Sequence, residues 1–268
     1  MNNTIGVIGC GWLGLPLATA FVKEGCTVHG TTTTPHKLEA LVGRGIRAFK
    51  VGINEDQIEG QIHEFLTDVT TLVVNVPPKL RKGNGESFIK KMTLLLHEAQ
   101  TAKIRHLLFV SSTSVYGATE GIITENTPTR PLTLSAQQLL ASEQLFMKSV
   151  LFKTTIVRFG GLIGANRHPV KHLEGKTLTN GDELINLIHL DDCIHMIKTI
   201  VEKEYWNEVF NGVYPHHPQK KVYYTQEAVK ARLTPPTYIE SKKTALKKTI
   251  VSQNFFVKKH FLHTSIVS

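Results

Sequence analysis

Ile5-Gly6-Val7-Ile8-Gly9-Cys10-Gly11-Trp12-Leu13-Gly14 sets a G-x-G-x-x-G spacing directly behind a short apolar run. The run predicts a strand over Ile5–Ile8, and the residues after Gly14, with Pro16 in the first turn, predict a helix. Each glycine then has its own task. Gly9 permits a tight turn, Gly11 lets backbone approach a pyrophosphate, and Gly14 lets the helix lie close to the strand. Free N–H groups and the positive end of the helix dipole favour an anion at that point. The segment therefore predicts a dinucleotide site built from Gly9, Gly11, Trp12, Leu13 and Gly14, with a purely structural glycine turn as the competing reading.

Working outward, short β-branched runs alternate with amphipathic stretches, the pattern of βαβ units that build a parallel sheet. Strands are expected at Ile5–Ile8, Thr27–Thr31, Ile46–Val51, Thr71–Val76, His106–Ser111 and Thr154–Arg158. Over Glu86–Ala102 the residues Phe88, Met92, Leu95, Leu96 and Ala99 share one helical face, while Lys90 and Lys91 point away. Leu132–Met147 reads as a second helix that covers the sheet and offers a homodimer face. After Arg158 the regularity weakens, and Pro215, Pro218, Pro235 and Pro236 separate shorter elements. The expected fold class is α/β: a Rossmann doubly wound parallel sheet with a smaller C-terminal substrate-side lobe. The division falls at 1–160 for the dinucleotide-binding domain and 161–268 for the lobe with its basic tail.

The end of the second strand bears on cofactor choice. An Asp or Glu about 20 residues past the glycines would hold the adenosine ribose of NAD. Here the chain reads Val28-His29-Gly30-Thr31-Thr32-Thr33-Thr34, with His36 and Lys37 beyond. With no carboxylate to repel a 2′-phosphate, Thr32, Thr33 and Lys37 favour NADP while leaving NAD open. Helix capping by the same threonines is the structural alternative. Val76-Pro77-Pro78 stiffens the carboxyl edge where ligands of open α/β sheets lie, which adds Val76 and Pro77 to the cofactor set. Lys79, Arg81 and Lys82 follow as a basic loop within reach of phosphates, or as a plain solvated loop.

Composition excludes several classes. Of 268 residues, 41% are hydrophobic and 20% charged, which is globular usage and argues against disorder. No apolar run approaches the roughly 18 residues of a membrane span, so the expected location is the cytoplasm, without processing. Cys10, Cys26 and Cys193 are odd in number and far apart, which argues against a disulfide framework or thiolate metal site. Thirteen histidines are dispersed, and no metal centre is expected. The net charge of +9 is concentrated late. Lys220, Lys221, Lys230, Arg232, Lys242, Lys243, Lys247, Lys248, Lys258 and Lys259 face only Glu227 and Glu240 between His216 and His263. Without a stacking motif or helix-turn-helix spacing, this reads as a solvated basic face rather than a nucleic-acid surface.

The fifth strand continues as Leu107-Leu108-Phe109-Val110-Ser111-Ser112-Thr113-Ser114-Val115-Tyr116-Gly117. With the glycine turn, this resembles the extended short-chain dehydrogenase/reductases of the NAD-dependent epimerase/dehydratase type. Glu125 with Pro128 and Pro131, Val157-Arg158-Phe159-Gly160-Gly161-Leu162-Ile163-Gly164, and Ile188-His189-Leu190-Asp191-Asp192 resemble further segments of that family. Trp12-Leu13-Gly14 and Asn166-Arg167-His168-Pro169 are similar to its atypical, YeeZ-like branch.

The resemblance implies a serine beside a Tyr-x-x-x-Lys pair, with Tyr as acid/base and Lys lowering its pKa. Ser112 matches the serine, but Ser135 and Leu139 stand where the Tyr and Lys belong. Tyr116 is an available phenol, and His189 titrates near neutral pH in a loop that the resemblance turns toward the substrate cleft. The candidate catalytic set is therefore Ser112, Tyr116 and His189. Asp191 or Asp192 reads as the N-cap of the following helix. Arg167 is the candidate for an anionic substrate group. Two functional classes stay open at this stage. One is an NADP-dependent oxidoreductase or epimerase-like enzyme acting on a polar, sugar-like or anionic small molecule. The other is a non-catalytic dinucleotide-binding sensor or scaffold that kept the fold.

Overall fold

The computed structural model describes residues 4–78, 87–164, 166–240 and 247–266. β1 (Thr4–Ile8), α1 (Gly14–Lys23) and β2 (Thr27–Thr32) form the first βαβ unit. Its helix buries Gly14, Leu17, Ala18 and Phe21, the i, i+3, i+4, i+7 stripe that a helix lying on a sheet requires. A 3-10 turn at Pro35–Lys37 and the short α2 (Leu38–Val42) lead to β3 (Arg47–Ile53), which folds back as β4 (Ile58–Gly60). Then come α3 (Ile62–Leu66), β5 (Thr71–Val74), α4 (Phe88–Thr101) and β6 (His106–Ser112). A 3-10 turn at Thr113–Tyr116 precedes β7 (Gly121–Ile123), α5 (Leu134–Met147), β8 (Lys153–Phe159) and β9 (Gly161–Ile163).

The remainder runs through α6 (Val170–Leu173), β10 (Thr177–Leu178), β11 (Leu187–His189), α7 (Leu190–Glu202) and β12 (Val209–Gly212). It closes with α8 (Lys220–Lys230), β13 (Thr237–Tyr238), β14 (Lys248–Ile250) and α9 (Gln253–Val257).

Eight strands make the central sheet in the order β12-β8-β6-β5-β1-β2-β3-β4. Every neighbouring pair is parallel except β3 with β4, so this is a doubly wound Rossmann sheet with one antiparallel edge. The order reverses at β1, with β2 on one side and β5 on the other. That reversal opens the crevice in which such sheets take ligands. One face is covered by α1 and α7 through Leu17, Phe21, Ile197 and Ile200, the other by α4 and α5 through Met92, Leu95, Leu139 and Phe146.

The strand that completes the sheet comes late in the chain. Val209–Gly212 returns to pair with Ile156–Phe159 as an edge strand of the central sheet, from beyond the boundary expected at residue 160. A separate hydrophobic cluster is formed by Ile163, Val170, Ile185, Leu187, Tyr223, Tyr224, Ala228 and Ile266, while Ile250, Phe255 and Leu262 pack back into the main body. Two short parallel pairs extend beyond the central sheet: β9 with β11 beside this cluster, and β7 with β14, whose Ile123 and Ile250 join the main core. The basic excess of the later residues is spread over both this cluster's surroundings and the β12 edge of the sheet, and is partly neutralised. Lys220 pairs with Glu183, Lys221 with Asp182 at 2.6 Å, Lys230 with Glu227 at 2.8 Å and Lys258 with Glu208 at 3.0 Å.

No helix among the described residues is long and apolar enough to cross a membrane. The three cysteines are free thiols, and burial pushes Cys10 up to about 12.

Candidate functional site

The glycine turn lies between β1 and α1 at the reversal of strand order. Three long-range hydrogen bonds hold it. Gly9 N donates to Thr31 Oγ1 at 3.0 Å, Cys10 N donates to the Thr31 carbonyl at 3.0 Å, and Asn75 Nδ2 donates to the Gly9 carbonyl at 3.1 Å. Thr31 and Asn75 sit at the carboxyl ends of β2 and β5, so both strands that flank β1 grip the turn.

Two of the three glycines are forced by the fold. Gly9 has φ +92°, and a Cβ there would sit 2.4 Å from the Asn75 carbonyl oxygen. A Cβ on Gly14 would sit 2.2 Å from the Gly9 carbonyl oxygen. Gly11 differs, because a Cβ there would meet nothing within 4 Å. Open space there is the condition that the second glycine of the motif must satisfy if backbone is to approach a pyrophosphate. The N–H groups of Trp12 and Leu13 find no acceptor among the described residues, and the first turn of α1 carries no acidic side chain. The turn therefore offers donors and positive potential without an internal anion, and its residues fit a dinucleotide pyrophosphate.

The other cofactor expectations divide. Thr33 and Lys37 are exposed beyond β2, whereas Thr32 is buried with its hydroxyl accepting from Thr34 N at 3.1 Å. No carboxylate stands at the end of β2. Val76 is half-buried and Pro77 exposed at the carboxyl edge of β5. Leu13 belongs to the core by its side chain and reaches the turn only through its backbone. Lys79, Arg81 and Lys82 lie outside the described residues.

At the next strand, Ser112 ends β6 half-buried, and its hydroxyl accepts from Ser114 N at 3.2 Å. Tyr116 departs from expectation. Its side chain is fully buried, and its hydroxyl donates to Asn211 Oδ1 at 2.8 Å while accepting from Arg158 Nη1 at 3.0 Å. Burial pushes the phenol above its ordinary value against the opposing pull of Arg158. With both the proton and the oxygen committed inside the core, Tyr116 holds the fold and is not an accessible proton donor.

His189 stands at the C-terminal end of β11, half-buried, and its Nδ1 accepts from Asp191 N at 3.2 Å. It is the N-cap of α7, the role that Asp191 or Asp192 was expected to fill. With Nδ1 acting as acceptor, the neutral ring carries its proton on Nε2. Asp191 Oδ2 lies 3.4 Å from the same Nδ1. Asp192 turns inward instead: Oδ1 accepts from His263 N and Oδ2 from Thr264 N, both at 2.9 Å. It fastens the C-terminal segment to the body.

Ser135 is half-buried on α5, and Leu139 is 6% exposed within the core that includes Phe109 and Phe146. Lys248, not singled out from sequence, reaches the same region from the lobe. Its Nζ donates to the Gly117 carbonyl at 2.6 Å, capping the 3-10 turn whose other end Ser112 caps, and burial lowers its pKa. Among the described residues no cluster of three or more His, Cys, Asp or Glu is disposed to hold a metal ion.

Arg167 is exposed and stacks over the Trp12 ring, 4.9 Å from guanidinium carbon to centroid. The structure thus brings it to the glycine turn.

A doubly wound sheet with a glycine turn at its strand reversal defines the class of Rossmann-type nucleotide-binding α/β proteins. Within that class the chain belongs to the NAD dependent epimerase/dehydratase family, whose sequence profile matches residues 5–211. It is 32% identical over 239 residues to protein YeeZ of Escherichia coli strain K12, covering 88% of this chain and 87% of that protein. Among solved structures it is similar to MoeE5 in complex with UDP-glucose and NAD, with TM-score 0.80 and 19% identity over 98% of this chain and 95% of the other. It is also similar to UDP-glucose 4-epimerase from Thermotoga maritima with UDP-glucose, with TM-score 0.79 and 16% identity over 98% and 94% of the two chains.

Proposed function

We propose that this protein is an NADP(H)-binding enzyme of the epimerase/dehydratase kind that acts on a polar, sugar-like metabolite carrying an anionic group. The observation that carries the reading is the open face of Gly11. The fold fills the space above Gly9 and Gly14 but leaves it open at Gly11, next to the two N–H groups of Trp12 and Leu13 that find no acceptor among the described residues. The 2′-phosphate preference rests on the β2 end, where Thr33 and Lys37 are exposed and no carboxylate intervenes. A bound nicotinamide dinucleotide supplies reversible hydride acceptance from a carbon bearing a hydroxyl.

This chain's own residues take the remaining tasks. Ser112 positions the reacting oxygen from the end of β6. His189 offers Nε2 for proton transfer, because its Nδ1 is committed to the helix. Lys248, with its ammonium favoured less than in water, adds a cation at the far end of the 3-10 turn. The sugar-like substrate class is carried by likeness to proteins solved with UDP-sugars.

The second reading, a dinucleotide sensor without turnover, draws on Leu139. The position that the family gives to a lysine is here an apolar core residue, so it supplies no ammonium beside Ser135.

Thermal unfolding with NADPH, NADH and no ligand at matched concentrations tests the cofactor reading. A ligand at about 100 times its Kd adds roughly 2.7 kcal/mol of stability. The expected result is a larger rise with NADPH than with NADH; no rise with either sinks the reading. Incubation of the loaded protein with a UDP-sugar panel, followed at 340 nm and by product analysis, then separates enzyme from sensor.

A further inference from the structure

We propose that Arg167 is a cofactor-binding residue, a guanidinium clamp that reaches from the C-terminal lobe to the dinucleotide pyrophosphate across the ring of Trp12. This rests on the dinucleotide-binding reading and reassigns Arg167 from the substrate to the cofactor.

Three observations place it there. The guanidinium lies 4.9 Å from the centroid of a ring that is itself part of the glycine turn. Its backbone is tied by reciprocal hydrogen bonds with Gly164, Arg167 N to Gly164 O and Gly164 N to Arg167 O, both 2.9 Å. Gly164 admits that arrangement, since a Cβ there would lie 2.9 Å from the Trp12 ring and 3.2 Å from Leu190 Cβ. The loop after β9 is thus docked against the turn by a glycine that accepts the indole and an arginine that covers it.

The charge balance at this spot points to an anion. Among the described residues no carboxylate lies within ion-pair distance of Arg167, Asp191 and Asp192 being the charges that act with it on nearby Cys193, and α1 has no acidic residue in its first turn. An exposed guanidinium and an unneutralised helix N-terminus therefore share one corner, which repels cations and is relieved by phosphate. The indole gives the guanidinium an apolar, electron-rich seat beside the turn, and a planar guanidinium suits a bidentate oxyanion contact. A diphosphate bridge lying along the N–H groups of Trp12 and Leu13 is the anion that this corner fits.

The test uses the only two tryptophans, Trp12 and Trp206. In a W206F background Trp12 becomes the sole indole, and its fluorescence reports the corner directly. NADPH, NADH, ADP-ribose and adenosine 2′-monophosphate are titrated into W206F, W206F/R167A and W206F/R167K, with thermal shifts of R167A and R167K in the otherwise native chain as an independent readout. The expected result is at least a tenfold loss of affinity, about 1.4 kcal/mol, for the three diphosphate ligands in R167A. R167K recovers part of it, and adenosine 2′-monophosphate binds all forms alike. NADPH affinity within twofold of the parent in R167A overturns the clamp while leaving the dinucleotide site standing. Equal losses for adenosine 2′-monophosphate overturn it in favour of a role in folding the loop. If the parent protein binds no dinucleotide by either readout, the underlying reading falls and the clamp with it.

Discussion

Arg158 and Glu143 form a buried ion pair that locks α5 to β8: Nη2 donates to Oε2 at 2.6 Å and Nε approaches both carboxylate oxygens at 3.1 Å. Ser111 Oγ donates to Glu143 Oε1 at 2.5 Å, and Arg158 Nη1 continues to Tyr116, whose hydroxyl leads on to Asn211 in β12. One cation thus joins a helix, three strands and the turn beside Ser112.

Removing one partner leaves an uncompensated charge in the core. Arg158→Met or Glu143→Leu is expected to cost about 3–5 kcal/mol in urea unfolding, and the double variant less than the sum. Additive losses would show that the pair is not coupled.

The glycine turn separates folding from binding. Gly11→Ala is expected to leave the melting temperature within about 2 °C of the parent while weakening NADPH about tenfold, because its Cβ enters open space on the ligand side. Gly14→Ala drives a Cβ into the Gly9 carbonyl and is expected to destabilise by about 3 kcal/mol or more. Parallel melting and titration of the two variants checks the contrast; a Gly11→Ala protein that binds as the parent does would remove the turn from the ligand site.

A carboxylate at the end of β2 reverses cofactor choice. Thr33 is exposed there, so Thr33→Asp is expected to shift the NADPH:NADH affinity ratio at least tenfold toward NADH through repulsion of the 2′-phosphate. An unchanged ratio in paired titrations places that phosphate elsewhere.

Two histidines make the lobe acid-labile. His168 accepts from Val170 N at 3.2 Å and meets the Tyr223 hydroxyl at 3.0 Å, and His217 donates to the Ile185 carbonyl at 3.1 Å. Burial lowers both pKa values below the ordinary 6.5. In the window below about pH 6.5 the unfolded chain binds these protons while the folded chain does not, so stability falls as pH falls. Melting temperature should drop from pH 7 toward pH 5, and His168→Asn with His217→Asn should flatten that slope. A slope that survives both substitutions assigns the lability to other groups.

Restoring the family's lysine carries a penalty of its own. Leu139 lies in the cluster with Phe109 and Phe146, and Leu139→Lys is expected to cost about 2–5 kcal/mol. Ser135→Tyr, at a half-buried site, should fold as the parent does. Chemical unfolding of the two single variants distinguishes them, and a stable Leu139→Lys protein would mean that the α5 face opens toward the cleft.

The amino-acid sequence by itself determined the local layers. The strand runs at Ile5–Ile8, Thr27–Thr31, His106–Ser111 and Thr154–Arg158 agree with the observed strands to within a residue or two, and the apolar stripe from Phe88 to Ala99 is the buried face of α4. These features repeat every two or 3.6 residues, so neighbours in the chain disclose them. The glycine turn was legible for the same reason, being a local backbone requirement.

Tertiary structure decided everything that depends on partners far along the chain. Asn75 grips Gly9 across 66 positions, Tyr116 loses its hydroxyl to Asn211 across 95, and Asp192 spends its carboxylate on His263 across 71 rather than capping its own helix. The return of Val209–Gly212 to the sheet and the meeting of Arg167 with Trp12 belong to the same class. A side chain's chemistry is written in the sequence, but its burial and its partner are set by packing between distant segments, and those two quantities decide whether a phenol, a carboxylate or a guanidinium remains free to act.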